Sequence, residues 1–191
     1  VKISGNVDFS NGSEIMSSCK VYIDEITGNL NVPQSRDSEF VVKKIGGNVN
    51  IHATIGNIVL GTEKDPWSKS VYVETVNGNV TTYLTGSSSR FFKTEKGNIN
   101  VTYPSAIRGY TSIETDKGTT NVVFGKDSAV KFEFRLKNET EENKFDLGNV
   151  YFDILNGKKL SSNPYFYNSN ESTVKGRVEI ISNSGVNLDV A

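Results

Sequence analysis

A single cysteine, Cys19, leaves this chain no internal disulfide and no metal site built from paired thiolates. Histidine is equally scarce: His52 stands alone, with no second histidine at metal-binding spacing and no nucleophile-elbow motif to serve as a base, and it reads as a surface or corner residue. Formal net charge is −1 and no run of five or six basic residues occurs, so the electrostatic footprint of a nucleic-acid binder is missing. No apolar run approaches the eighteen residues that a membrane-spanning helix needs. The carboxylates of Asp8, Asp24, Glu25, Glu139, Glu141 and Glu142 lie in neither an EF-hand nor a Gly-Gly-x-Gly-x-Asp calcium coil, and they read as solvated charge. The expectation is therefore no catalytic residue, no cofactor and no metal. The sequence opens on VKISGNVDF, already strand-like, without initiator Met or leader-type regions. Membrane association is expected only through a segment outside this sequence.

What the chain does contain is glycine, asparagine, serine and threonine, with hydrophobic residues at only 36%. That mixture suits short strands joined by many turns better than packed helices. Gly followed by Asn occurs seven times, at Gly5, Gly28, Gly47, Gly56, Gly78, Gly97 and Gly148. An aliphatic residue follows each Asn (Val7, Leu30, Val49, Ile58, Val80, Ile99, Val150), and a second, mostly apolar residue stands two places further on. This is the period-2 alternation of a strand with one face buried. Alternating segments also precede several of these glycines, as in VYIDEI, FVVKKI and VYVETV, so the unit reads strand, corner, strand.

Pairs such as Asn77-Gly78, Lys96-Gly97, Lys117-Gly118 and Gly46-Gly47 supply a residue that enters positive φ without Cβ strain, as a sharp corner requires. Asn-Gly is also the strongest local signal for a two-residue antiparallel hairpin. Spacing decides between the two. The clearer corners lie 23, 19, 31, 19 and 21 residues apart from Gly5 to Gly118, with one more at Gly56, nine residues after Gly47, whereas a meander turns every 8 to 12 residues.

These intervals predict an all-β fold, a single-stranded parallel β-helix (β-solenoid) with coils of about 20 residues stacked roughly 4.8 Å apart. Seven or eight coils would make a rod roughly 35 to 40 Å long. One domain spans 1–191, with regular repeats over 1–125 and a less regular, aromatic-rich C-terminal part over 126–191 that caps the stack. Thr75, Thr94 and Thr115 are expected to form a hydroxyl ladder, the asparagines after each Gly an amide ladder, and Leu30, Val49, Val80 and Ile99 one aliphatic column. The closing RVEIIS and GVNLDV segments look like a return to the ordinary unit.

The recurring ETVNGNVTTYL, KTEKGNINVTY and GNLNV units resemble the bacterial adhesin-like families, whose members carry serial T-x-x-G-[DN]-[IV]-x-[IV] units. The match covers most of Gly5 to Phe124. The resemblance implies an extracellular or cell-envelope protein of a bacterium with a β-solenoid fold, and it brings no catalytic residue. Many relatives have Asp after the Gly where this chain has Asn.

A binding or structural module is the leading expectation, with a host or envelope glycan or protein as partner and no nucleic acid. The alternative is a carbohydrate-active enzyme, a polysaccharide lyase or hydrolase, because such enzymes cut their substrates in grooves along parallel β-helices. A third reading is a scaffold domain tied to a membrane anchor. Candidate ligand contacts are aromatic: Trp67 in the Pro-containing EKDPWSKS loop, and Tyr165, Phe166 and Tyr167 in NPYFYNSN. Exposed rings can stack on sugars or anchor a protein. The structural alternative is that these rings cover a seam or an end of the coil.

Overall fold

The computed structural model describes residues 1–9, 19–105, 108–125, 130–136, 144–145, 165–167, 176–182 and 185–190. Its strands are, in chain order, β1 (Lys2–Ile3), β2 (Val7–Asp8), β3 (Cys19–Ile26), β4 (Leu30–Ile45), β5 (Val49–Ile55), β6 (Ile58–Leu60), β7 (Val71–Asn77), β8 (Val80–Tyr83), β9 (Arg90–Lys96), β10 (Ile99–Tyr103), β11 (Gly109–Lys117), β12 (Thr120–Phe124), β13 (Val130–Leu136), β14 (Lys144–Phe145), β15 (Tyr165–Tyr167), β16 (Gly176–Ser182) and β17 (Val186–Val190). Each aliphatic residue after a Gly-Asn opens a strand, from Val7 through Ile99. Val150, which follows the seventh pair, lies outside the described residues.

Two parallel sheets form the walls. One stacks β1, β3, the second half of β4, β6, β8, β10, β12, β17 and β14. The other stacks β2, the first half of β4, β5, β7, β9, β11, β16 and β13. Successive strands pass from one sheet to the other, so the chain winds into a β-solenoid with coils of about 21 residues. Among the described strands only β15 pairs antiparallel, which removes the hairpin reading of the Asn-Gly corners. Among the described residues the two sheets stack nine and eight strand segments, and one turn carries Gly-Asn at both of its edges, so corners do not count coils one for one.

That double corner also explains the 31-residue interval. Asn48 N–H donates to Asn29 Oδ1 at one edge of the solenoid, whereas Asn79 N–H donates to Asn57 Oδ1 at the other. β5 crosses the whole second sheet between Gly47 and Gly56, and from there the motif marks the opposite edge. Before the switch, β4 rounds that opposite edge at Asp37–Ser38, after a register shift between Val32 and Ser35 within its pairing to β5. After it, the first edge is made by longer loops, the widest of them among the described residues 61–70.

The edge switch divides the expected aliphatic column in two. Leu30 and Val49 stand in register with Val71 and Arg90 on the second sheet. Val80 and Ile99 stand with Phe40 and Ile58 on the first. A second inward row behind each completes the core: Val32, Ile51, Val73, Phe92 and Ile113 face Val42, Leu60, Thr82, Val101 and Val122. Apart from Thr82, these are buried hydrophobics, and each fully buried aliphatic contributes on the order of 1.5–3 kcal/mol.

The last third keeps the register of the repeat but not its order. β16 and β17 lie directly on β11 and β12, matching Gly109 to Gly176 and Thr120 to Val186, while β13 and β14 lie beyond them. The chain thus leaves one level open after β12 and returns to fill it. Tyr165, Phe166 and Tyr167 form β15, which pairs antiparallel with Phe134, Glu133 and Phe132 and ends the second sheet among the described strands.

Arg90 is the anomaly of the core. It occupies a position that is aliphatic in Leu30, Val49 and Val71, is only 2% exposed, and has no carboxylate partner among the described residues. Its guanidinium donates to the carbonyls of Thr85 and Arg108, Nε has no acceptor, and burial lowers its pKa. Beside it Tyr103 donates to Thr111 Oγ1 at 2.7 Å, and burial pushes the Tyr103 phenol up to about 12.

Two substitutions test this account by thermal or denaturant unfolding. Ile99→Ala should cost about 2–5 kcal/mol through the cavity it leaves. Arg90→Met should stabilise the protein, by about 1–4 kcal/mol, since an uncompensated buried charge is replaced by apolar volume while the Thr85 and Arg108 carbonyls can turn to water.

Candidate functional site

The site grows out of the corner that begins at Gly56. Ser38, Gly56, Gly78, Gly97 and Gly118 lie one above another along this edge, so close that a Cβ on Gly97 would sit 2.1 Å from the Gly78 carbonyl oxygen. Gly97 also takes φ +150°, outside the comfortable range of other residues. Gly46, Gly47 and Gly78, expected to need positive φ as well, are not among the positive-φ glycines. At Gly78 close approach alone makes the demand, since a Cβ there would meet the Gly56 oxygen at 1.9 Å.

Two hydrogen-bond systems hold this corner. Asn98 N–H donates to Asn79 Oδ1 at 2.8 Å and Thr119 N–H to Asn98 Oδ1 at 2.8 Å, continuing the Asn79 to Asn57 bond below. The threonine three places before each Gly acts on the coil beneath. Thr75, Thr94 and Thr115 are in register as expected, but they do not form a hydroxyl ladder. Thr94 Oγ1 donates to the Gly78 carbonyl at 3.1 Å and Thr115 Oγ1 to the Gly97 carbonyl at 3.2 Å, while Thr75 Oγ1 has no partner. A carbonyl bound to its coil's own corner is the better acceptor because the glycine above leaves it reachable.

With glycines along its floor above Ser38, the corner forms a groove of about 630 Å³ that runs across several coils. One wall is the residue before each corner: Asp37, Ile55, Asn77 and Lys96, in register with one another. The other wall carries Glu39, Asn57 and Asn79, with Lys20 beside Glu39. Lys20 Nζ lies 3.2 Å from Glu39 Oε2, and that hydrogen-bonded carboxylate raises the lysine pKa. Ile55 is 46% exposed.

Of the expected ligand contacts, Trp67 does not line this groove. Trp67 is only 2% exposed: its Nε1–H donates to Lys69 O at 2.9 Å and its backbone bridges to Leu84, so no ring face is offered to a ligand. It heads an inward file at the loop edge that continues through Leu84, Tyr103 and Phe124, where the last two rings stack at 5.8 Å. Tyr165, Phe166 and Tyr167 belong to β15, and their side chains lie outside the described residues. His52 is on the outer face of β5, 3.4 Å from Glu74 and tilted against Tyr72, which stacks in turn on Phe91 at 4.9 Å. Both faces of the Tyr72 ring are therefore occupied by neighbours, and this file presents ring edges. Asp24 and Glu25 are held by Lys43 at 2.6 Å and by Lys44 at 2.9 Å, and no group of three metal-ligating side chains occurs among the described residues. Glu139, Glu141 and Glu142 lie outside them.

No family model, curated protein or solved structure matches this chain. The resemblance to adhesin-like repeats therefore rests on the repeat unit itself.

Two substitutions along this edge should separate its constraints. Gly97→Ala should cost at least about 1–3 kcal/mol from the backbone conformation alone, with the steric overlap added. Asn79→Ala, which removes one acceptor from an exposed N–H, should cost only about 0.5–1.5 kcal/mol. Equal losses in the two unfolding curves would mean that close approach does not govern the corner.

Proposed function

We propose that this chain is a non-enzymatic binding module of the adhesin type, displayed at the bacterial surface or envelope, and that it holds an extended polymer along the corner groove. The observation that carries the reading is the groove's lining. It presents amides, ammonium groups and carboxylates in files parallel to the solenoid axis, a layout suited to a repeating ligand lying along the rod. Its paired ions and amides are placed for contact, and no nucleophile stands against a base there. A rigid parallel scaffold also positions these groups without an ordering cost on binding.

One feature favours the carbohydrate-active alternative: Asp37 and Glu39 both line the groove, and a pair of carboxylates is what glycoside hydrolysis employs. Titration of the isotopically labelled protein with extended oligosaccharides separates the two readings. Binding should shift amide signals at 37–39, 55–57, 77–79 and 96–97, with the oligosaccharide recovered intact. Degradation that disappears in Asp37→Asn or Glu39→Gln would establish the enzyme instead, and shifts confined to other surfaces would remove the groove from either account.

A further inference from the structure

Donor and acceptor groups in the groove are not equally available. Asn57 Oδ1 accepts from both N–H groups of Asn79, Asn79 Oδ1 accepts from Asn98 N–H, and Asn98 Oδ1 accepts from Thr119 N–H. The corner carbonyls of Gly78 and Gly97 accept from Thr94 and Thr115. The ladder's amide oxygens and these two carbonyls are thus occupied. Among the uncommitted groups of the described residues donors outnumber acceptors: the Nδ2 of Asn57, the ammonium of Lys96 and the amide of Asn77, which also carries a free Oδ1, line the groove, and the Nδ2 of Asn98 stands next to it, one residue past Gly97.

Charge points the same way. Lys20 and Glu39 neutralise one another, and Asp37 is engaged within the chain. Lys96 has no ion-pair partner among the described residues, and directly above it in register stands Lys117, exposed and likewise unpaired. Like charges side by side on neighbouring strands repel unless an anion lies between them. A polymer running from Asn57 past Lys96 to Lys117 would meet donors first and then two cations.

We infer that the groove's ligand is an acidic glycan whose ring oxygens and hydroxyls accept from the asparagine amides and whose carboxylate or sulfate groups sit between Lys96 and Lys117. This inference rests on the groove being the binding surface. An acidic peptide fits less well. The backbone N–H groups of Gly56, Gly78 and Gly97 are already bonded to Asn77, Lys96 and Lys117, so the corner cannot take up an added strand. Ile55 is the one exposed apolar side chain on the walls, too little to seat alternate side chains of a peptide.

Calorimetric titration of the whole chain with oligogalacturonate, dextran sulfate, neutral dextran and poly-glutamate tests the assignment. One of the two acidic glycans should bind at least about tenfold more tightly than dextran, the loss expected for removing charge-assisted contacts, and which one binds distinguishes carboxylate from sulfate. That affinity should fall steeply from about 0.1 M to about 1 M salt, over which the screening length shrinks from about 10 to about 3 Å. Lys96→Gln with Lys117→Gln, both at exposed positions, should abolish the preference, while Lys64→Gln with Lys69→Gln, the same loss of charge in the exposed loop at the opposite edge, should keep it. Dextran binding in the groove as tightly as the acidic glycans would overturn the ligand assignment and leave the binding module standing. Poly-glutamate binding as tightly would also overturn it, in favour of an acidic peptide. No binding of any of the four by the wild-type chain would overturn the assignment and the groove reading together.

Discussion

The close approach of successive coils at the glycine corner is the constraint on which the rest of this structure depends. Where Gly78 passes over Gly56, and Gly97 over Gly78, no room remains for a Cβ, and each coil must repeat the same path within about 2 Å of clearance. That demand explains why the chain writes nearly the same words several times. Threonine, three places before the glycine, donates to the corner carbonyl of the coil beneath. The glycine permits the approach, and the asparagine after it accepts an N–H from the coil above. The motif is thus one hydrogen-bonding unit that reaches down with its first residue and up with its last, and a change in one coil is felt by its neighbours. Stability is then a property of adjacent pairs rather than of single coils.

The same unit has a consequence for recognition. By consuming the asparagine oxygens and the corner carbonyls, the stack turns an edge composed of neutral amides into one that mainly donates. Asparagine rather than aspartate after the glycine matters here. A carboxylate would accept the N–H of the next coil equally well but would leave a file of negative charge along the groove, and no spare donors. Amides keep the ladder and leave the Nδ2 groups of Asn57 and Asn98 unbonded among the described residues, so the choice of asparagine sets the chemistry of this edge.

Much of the fold was legible because its signal is local and repeated. Period-2 alternation after each Gly-Asn marked six strand starts, and the intervals near 20 residues distinguished a solenoid from hairpins. The edge switch was not legible, since Gly-Asn looks identical at either edge. Only the nine-residue step from Gly47 to Gly56 hinted that one coil turns twice on the motif. The intercalation of β16 and β17 was hidden for a related reason: in a parallel stack a coil pairs equally well at any level with the same register, so its order along the axis is not written in its own residues. The groove escaped notice because its wall runs Asp37, Ile55, Asn77 and Lys96, residues with nothing in common except their place one step before a corner. Trp67 follows the alternative reading of its loop, in which the ring covers a seam. A Pro-containing segment suggested exposure, but the long loop edge folds inward to close the core, and the ring fills it.

Arg90 marks the place where the column logic of the fold is broken. Stacking favours like residues, and Val71 below it would have been continued most cheaply by another aliphatic. The guanidinium instead ties two loop carbonyls, Thr85 and Arg108, to the wall of the solenoid at the edge opposite the groove. One edge is therefore held by repeated neutral bonds at short range, while the other adds, at the level of β9, a buried charge reaching into irregular loops. A rod built this way can vary its loop edge coil by coil while the glycine edge, fixed by the absence of any side chain, keeps its shape, which makes the glycine edge the part of the surface on which a repeating ligand can rely.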